Sequence, residues 1–218
     1  MLLLFINSDN GENMARCYKI TRFNGGLIFP EGAQIDGFTV SDLGGYLNLP
    51  ITHGEFDFVG AVERIKKGDD SWLTEDFMLS GYIQNLDEFA HIWGEVIRRL
   101  IEPENRPLLF HCTGGKDRAG TCAALILLAL GVPEETVIDD HQLSNILIAD
   151  LVKDVYKRIA SYGVDPQKLS PYFTAPRECI IGLLDHLHKT YGSPVDYLET
   201  AAGLNRETLS LLKEALLE

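Results

Sequence analysis

Apolar and polar positions follow different rhythms at the two ends of this chain. Residues 1–60 mix glycine with β-branched and aromatic residues ("YKITRFNGGLIFPEG", "DGFTV", "LGGYLNLPI"), with "NGG" and "PEG" as turn signals. The opening run "MLLLFI" reads as a buried first strand. Residues 61–80 carry a polar loop, "KKGDDSWLTEDFM", between short helical pieces. From Asn85 to Leu100 the apolar residues Leu86, Phe89, Trp93, Val96, Ile97 and Leu100 recur at helical spacing and predict one amphipathic helix. Pro103 and Pro107 end it and lead into "LLF", a short buried strand. The segment from Arg118 to Leu130 is apolar nearly all round and stops at Gly131, which predicts a central helix. Pro133, Glu134 and Glu135 open another helix. From Ile146 onward the pattern is helical, ending in "NRETLSLLKEALL" with Asn205 as its cap. No repeat, low-complexity tract or linker interrupts the chain, so the pattern predicts a single α/β domain over residues 1–218. Its strands lie toward the front and a helical part occupies 145–218.

Composition narrows the function classes. A chain of 218 residues, 45% apolar and 23% charged, suits one large globular domain. A net charge of −13 argues against nucleic acid or acidic membrane surfaces as partners, although a local pocket can oppose that field and take a small anion. No apolar run approaches the ~20 residues of a spanning helix, so stable membrane insertion is not expected. The opening segment lacks a basic start and a cleavage site, so it does not read as a signal peptide. Cys17, Cys112, Cys122 and Cys179 show no metal spacing and read as reduced thiols, which suggests a cytoplasmic setting. Neither a metal nor another cofactor is called for, and no pattern specifies an oligomeric state.

The segment "HCTGGKDRAG" concentrates the chemistry between the predicted strand and the central helix. Backbone N–H groups from Thr113 to Arg118 can curl into a concave nest if Gly114 and Gly115 take unusual dihedrals. The helix that begins there points its positive end at the same spot, and Arg118 can fold back to grip two oxygens of a bound anion. The result is a phosphate-sized cradle with the Cys112 sulfur at its floor. Such surroundings lower a cysteine pKa from about 8.5 to between ~3.5 and ~7.5, which makes the sulfur a nucleophile at neutral pH. A simple turn needs no Lys116, Asp117 and Arg118 side by side before a buried helix. Cys122, inside the apolar helix, reads as core.

With His111, Cys112 and Arg118 the chain meets a His-Cys-X5-Arg pattern. "HCTGGKDRAG" followed by "GVPEETVIDDHQLSN" resembles the cysteine-dependent protein tyrosine phosphatases, in their bacterial and fungal tyrosine/serine branch with a Gly-Lys-Asp-Arg loop. A weaker likeness continues through "YGSPVDYLETAAGLNRETLSLLKEALL", so it covers about residue 76 to the end; residues 1–40 are divergent. The resemblance implies a central, mostly parallel sheet flanked by helices and a helix-rich C-terminal half. It implies a metal-independent double displacement in which Cys112 attacks phosphorus while Arg118 and the loop hold the equatorial oxygens. Thr113, Gly114, Gly115, Lys116 and Ala119 would be the substrate-binding positions, with His111 supporting Cys112 from behind. The implied partner is a phosphorylated protein, phosphotyrosine foremost with phosphoserine or phosphothreonine beside it, or a phosphoinositide. Lys116 would project at the rim toward a second anionic group, and "DDH" at 139–141 with the following "SN" would brace the loop. Asp117 is a candidate for the acid that protonates the leaving group; Asp69, Asp70 and Asp76 on the upstream polar loop are others. Ala119 stands where family loops commonly carry Ser or Thr, so slower breakdown of the phosphocysteine is expected. Two other functions fit the same loop: a noncatalytic phosphate-binding module, and a different thiolate enzyme that would need a resolving cysteine nearby. Cys122, placed in the core, suits the latter poorly.

Overall fold

The computed structural model describes residues 2–5, 16–19, 34–35, 38–39, 49–51, 58–106, 108, 110, 112 and 114–217. The strands among them form two short antiparallel ribbons. Strand β1 (Leu2–Phe5) pairs with β2 (Arg16–Lys19), Leu2 opposite Lys19 and Phe5 opposite Arg16. Strand β3 (Gln34–Ile35) pairs with β4 (Phe38–Thr39). Neither is parallel and neither has more than two strands, so the expected mostly parallel sheet flanked by helices is not the architecture of the described residues. Leu108, in the expected "LLF" strand, makes only an isolated bridge. The "NGG" and "PEG" turns lie outside the described residues.

The remainder is a helical assembly built around one apolar helix. Helix α1 (Phe58–Lys66) and the polar loop after it lead to α2 (Glu75–Glu88), whose first N–H groups are capped by the Thr74 hydroxyl. Helix α3 (Ala90–Ile101) follows at once, because Phe89 departs from helical geometry with φ −112° and ψ 25°. The single amphipathic helix expected over this stretch is therefore two, and the break lets Met78, Tyr82 and Leu86 of α2 and Trp93, Ile97 and Leu100 of α3 all reach the core.

Helix α4 (Arg118–Leu130) begins and ends where the apolar run predicts, and Gly131 closes it in the left-handed conformation. Buried on nearly every side, it is covered by α2, α3, α5 (Glu134–Leu147), α9 (Pro194–Thr200) and α10 (Arg206–Leu216). An all-round apolar helix must be surrounded; here helices do much of the surrounding that a sheet was expected to do. Helix α5 stops at Leu147 and α6 (Ala149–Ser161) starts after Ile148. A short α7 (Ser170–Phe173) precedes α8 (Arg177–His186), which continues through a π-type turn, and Asn205 caps α10 by accepting from the Thr208 N–H at 2.8 Å. One large core joins α2, α3, α4, α5, α8, α9 and α10, and a smaller one joins Val62 and Ile65 of α1 to Leu73, Ile159, Val164 and Leu169. No helix among the described residues is long and apolar enough to cross a membrane.

Candidate active site

The loop entering α4 doubles back on its own cysteine. Gly115 takes φ +72°, a conformation that residues bearing a Cβ reach only at a cost, and this turns its N–H onto Cys112 Sγ at 3.1 Å. Cys112 is half-buried and reduced. Gly114 does not share the left-handed geometry; Gly115 alone supplies it within the described part of this loop. His111 and Thr113, expected beside the sulfur, lie outside the described residues.

Arg118 opens α4, and its Nη1 donates to the Ile51 carbonyl at 3.2 Å. Ile51 ends the "SDLGGYLNLPI" segment and is buried in the large core, so the guanidinium ties the loop to the front half of the chain. Ala119 and Thr121 face the packed side of α4 and are buried. The Asp117 carbonyl accepts from the Thr121 N–H at 2.8 Å, while its carboxylate makes no capping bond and turns elsewhere.

That half-buried carboxylate is the hub of a polar network that runs into the core. Its Oδ1 accepts from Lys116 Nζ at 2.7 Å and from the Tyr82 hydroxyl of α2 at 2.8 Å. Lys116 is only 6% exposed, so it does not project at the rim as expected. Its ammonium is held inward, 5.8 Å from the centroid of the Tyr172 ring. Burial, reinforced by the Asp117 charge, pushes the Tyr82 phenol well above the usual range, so it stays a hydroxyl donor. Behind it, His141 Nε2 lies 3.1 Å from the Tyr82 oxygen and His141 Nδ1 lies 3.2 Å from Gln142 Nε2. Burial pushes the His141 imidazole down to about 4, against a weaker upward pull from Asp117, so the ring is neutral at pH 7. The "DDH" segment thus reaches the loop through His141, and the intermediary is Tyr82.

The upstream carboxylates are engaged differently. Asp69 pairs with Arg64 at 2.7 Å, and that hydrogen bond holds its carboxyl below the usual range. Asp70 pairs with Lys168 at 2.5 Å, and Asp76 is exposed on the first turn of α2. None of the three bonds to the loop among the described residues. Burial pushes the thiols of Cys122 and Cys179 to about 12, which makes both poor resolving partners. His186 and His188 are engaged by Asp87 and Glu134 on the outer face. Among the described residues no cluster of three or more His, Cys, Asp or Glu could hold a metal ion. Tyr82 and Gln142 were not foreseen: a tyrosine on an amphipathic helix and a glutamine beside a histidine carry no local signal of what they touch.

A tyrosine phosphatase family model matches residues 36–218. A Cupriavidus necator protein provisionally named a tyrosine-protein phosphatase is 33% identical over 96 residues, covering 44% of this chain and 35% of that protein. A tyrosine-protein phosphatase of Nostoc commune is 28% identical over 149 residues, 65% of this chain and 49% of its own. The triple specificity protein phosphatase PtpB of Mycobacterium tuberculosis is 28% identical over 125 residues, 51% of this chain and 44% of its own. The chain thus spans from about a third to about a half of the length of these curated relatives. Because the family match runs from residue 36 through the Cys112 loop and α4 to the C-terminal residue, the chain belongs to the tyrosine phosphatase family.

Proposed function

We propose that this chain is a phosphatase that hydrolyses phosphomonoesters, phosphotyrosine foremost, through a phosphocysteine on Cys112 and without a metal. In the first step the Cys112 thiolate attacks phosphorus. The S–P bond forms, the P–O bond to the leaving group breaks, and Asp117 gives that oxygen its proton. In the second step water attacks phosphorus and yields its proton to Asp117; the S–P bond breaks, releasing inorganic phosphate and the thiolate. Arg118 and the loop N–H groups from Thr113 to Arg118, at the positive end of α4, hold the equatorial oxygens in both steps. The observation that supports this reading is the Gly115 N–H on Cys112 Sγ at the mouth of α4, a backbone donor aimed at the sulfur. The names of the relatives, a tyrosine-protein phosphatase and a triple specificity protein phosphatase, support phosphotyrosine first and a wider range of phosphoesters second. The inward turn of Lys116 favours a substrate with a single phosphoryl group over one needing a second anionic contact at the rim.

The test is hydrolysis of an aryl phosphate with EDTA present, by wild type and Cys112→Ser, with rapid-quench detection of the phosphoenzyme. Turnover abolished by the substitution, indifferent to chelator and preceded by a burst is the expected result; the burst follows from Ala119 leaving no hydroxyl at that position to hasten breakdown. A wild-type chain that binds orthovanadate yet hydrolyses nothing would instead be a phosphate-binding module.

A further inference from the structure

We propose that Gln142, His141 and Tyr82 form a one-way chain of hydrogen bonds that positions Asp117 for proton transfer to the leaving group. The inference rests on the acid role given to Asp117 above and adds three positioning residues to it. Donor and acceptor capacities fix the sense of the chain. A tyrosine hydroxyl has one proton, and Tyr82 gives it to Asp117 Oδ1 at 2.8 Å, a carboxylate oxygen that can only accept. Toward His141, 3.1 Å away, the Tyr82 oxygen must therefore accept, which requires the proton on Nε2. A neutral ring protonated there has a bare Nδ1, and Gln142 Nε2 meets it at 3.2 Å as a donor. The second Gln142 amide hydrogen goes to the Ala175 carbonyl at 3.1 Å, and its Oε1 accepts from Asn145 Nδ2 at 3.2 Å, which sets the orientation of the amide. From Gln142 through His141 and Tyr82, each proton along the chain points toward Asp117.

The chain has a mechanical consequence. It fastens a loop carboxylate to α2, to α5 and, through Ala175, to the segment before α8. Tyr82 and Lys116 both act on Oδ1, so Oδ2 is the oxygen without a bond among the described residues and the one placed to carry the proton. Loss of the chain loosens the acid while leaving the Cys112 cradle intact, so its effect falls on the protonation of difficult leaving groups.

Leaving-group dependence tests this directly. Phenyl phosphate needs the acid, whereas 6,8-difluoro-4-methylumbelliferyl phosphate does not. Tyr82→Phe should lower kcat on phenyl phosphate about tenfold, a fraction of what a general acid contributes, with KM and the activated ester changed by less than about twofold. In an Asp117→Asn background the same substitution should have no further effect on either ester. A Tyr82→Phe loss equal on both esters, or one that persists beside Asp117→Asn, overturns the positioning role. If Asp117→Asn itself affects both esters equally, the acid assignment falls and the positioning role with it; if Asp117→Asn is selective and Tyr82→Phe is not, only the chain falls. Nitrogen-15 NMR of the wild-type imidazole supplies a check free of variants and of activity: the Nε2-protonated neutral tautomer is expected at pH 7, and an Nδ1-protonated ring overturns the stated sense.

Discussion

Gly115 holds φ +72° while its N–H reaches Cys112 Sγ, so one residue supplies both the turn and the donor. Gly115→Ala should therefore cost about 1 to 2 kcal/mol of stability for the left-handed backbone. It should cost about a hundredfold in kcat if the displaced N–H serves the transition state as an oxyanion donor does. Thermal melts and steady-state kinetics read the two effects separately, and a variant with wild-type kcat would remove this amide from the mechanism. At this scale residue types single out a candidate loop but not the direction its side chains take. Cys112, Asp117 and Arg118 could be picked out because their combination is chemically odd before a buried helix. The resemblance implies an outward Lys116 facing a second anionic group, but a carboxylate one residue away and the Tyr172 face hold it inside.

Helix boundaries set by capping chemistry were legible, and those set by packing were not. The end of α4 at Gly131 and the Asn205 cap of α10 follow from residue types at those positions. The break at Phe89 has no such marker, since the apolar spacing runs straight through it. Gly94 shows what constrains α3: a Cβ built there would sit 2.1 Å from the Ala202 carbonyl oxygen, backbone that cannot rotate away. Gly94→Ala should lower stability by about 1 to 3 kcal/mol as α3 is forced off the segment between α9 and α10. Equilibrium urea unfolding should show the midpoint falling with the slope unchanged, and an unchanged midpoint would mean the two backbones can separate freely.

For the molecule as a whole, the neutral buried His141 links stability to pH. Its ring ionises near 4 in the fold against about 6.5 when unfolded, so below about 6.5 the unfolded chain binds more protons and stability falls as pH falls toward 4. Between pH 7 and pH 5 the loss is about 2 kcal/mol. His188 acts in the opposite sense: its hydrogen bond to Glu134 raises its pKa, giving stability present at low pH and lost as pH rises through the folded value, but it is largely exposed and its share is small. Comparing urea midpoints of wild type and His141→Gln across this range isolates the buried ring; equal slopes for the two would show that the imidazole takes up its proton as readily in the fold as in the unfolded chain. The sequence by itself determined the central apolar helix and the helical back of the chain, and it marked the Cys112 loop as the candidate site. These depend on residues close together, whose types and spacing are the physical cause. Only the tertiary structure decided that helices rather than a parallel sheet surround α4 among the described residues, that Lys116 turns inward, and that Tyr82, His141 and Gln142 meet behind Asp117. The Tyr82–His141 contact joins positions 59 apart in the chain, and no local pattern encodes which distant partner a buried polar group will find.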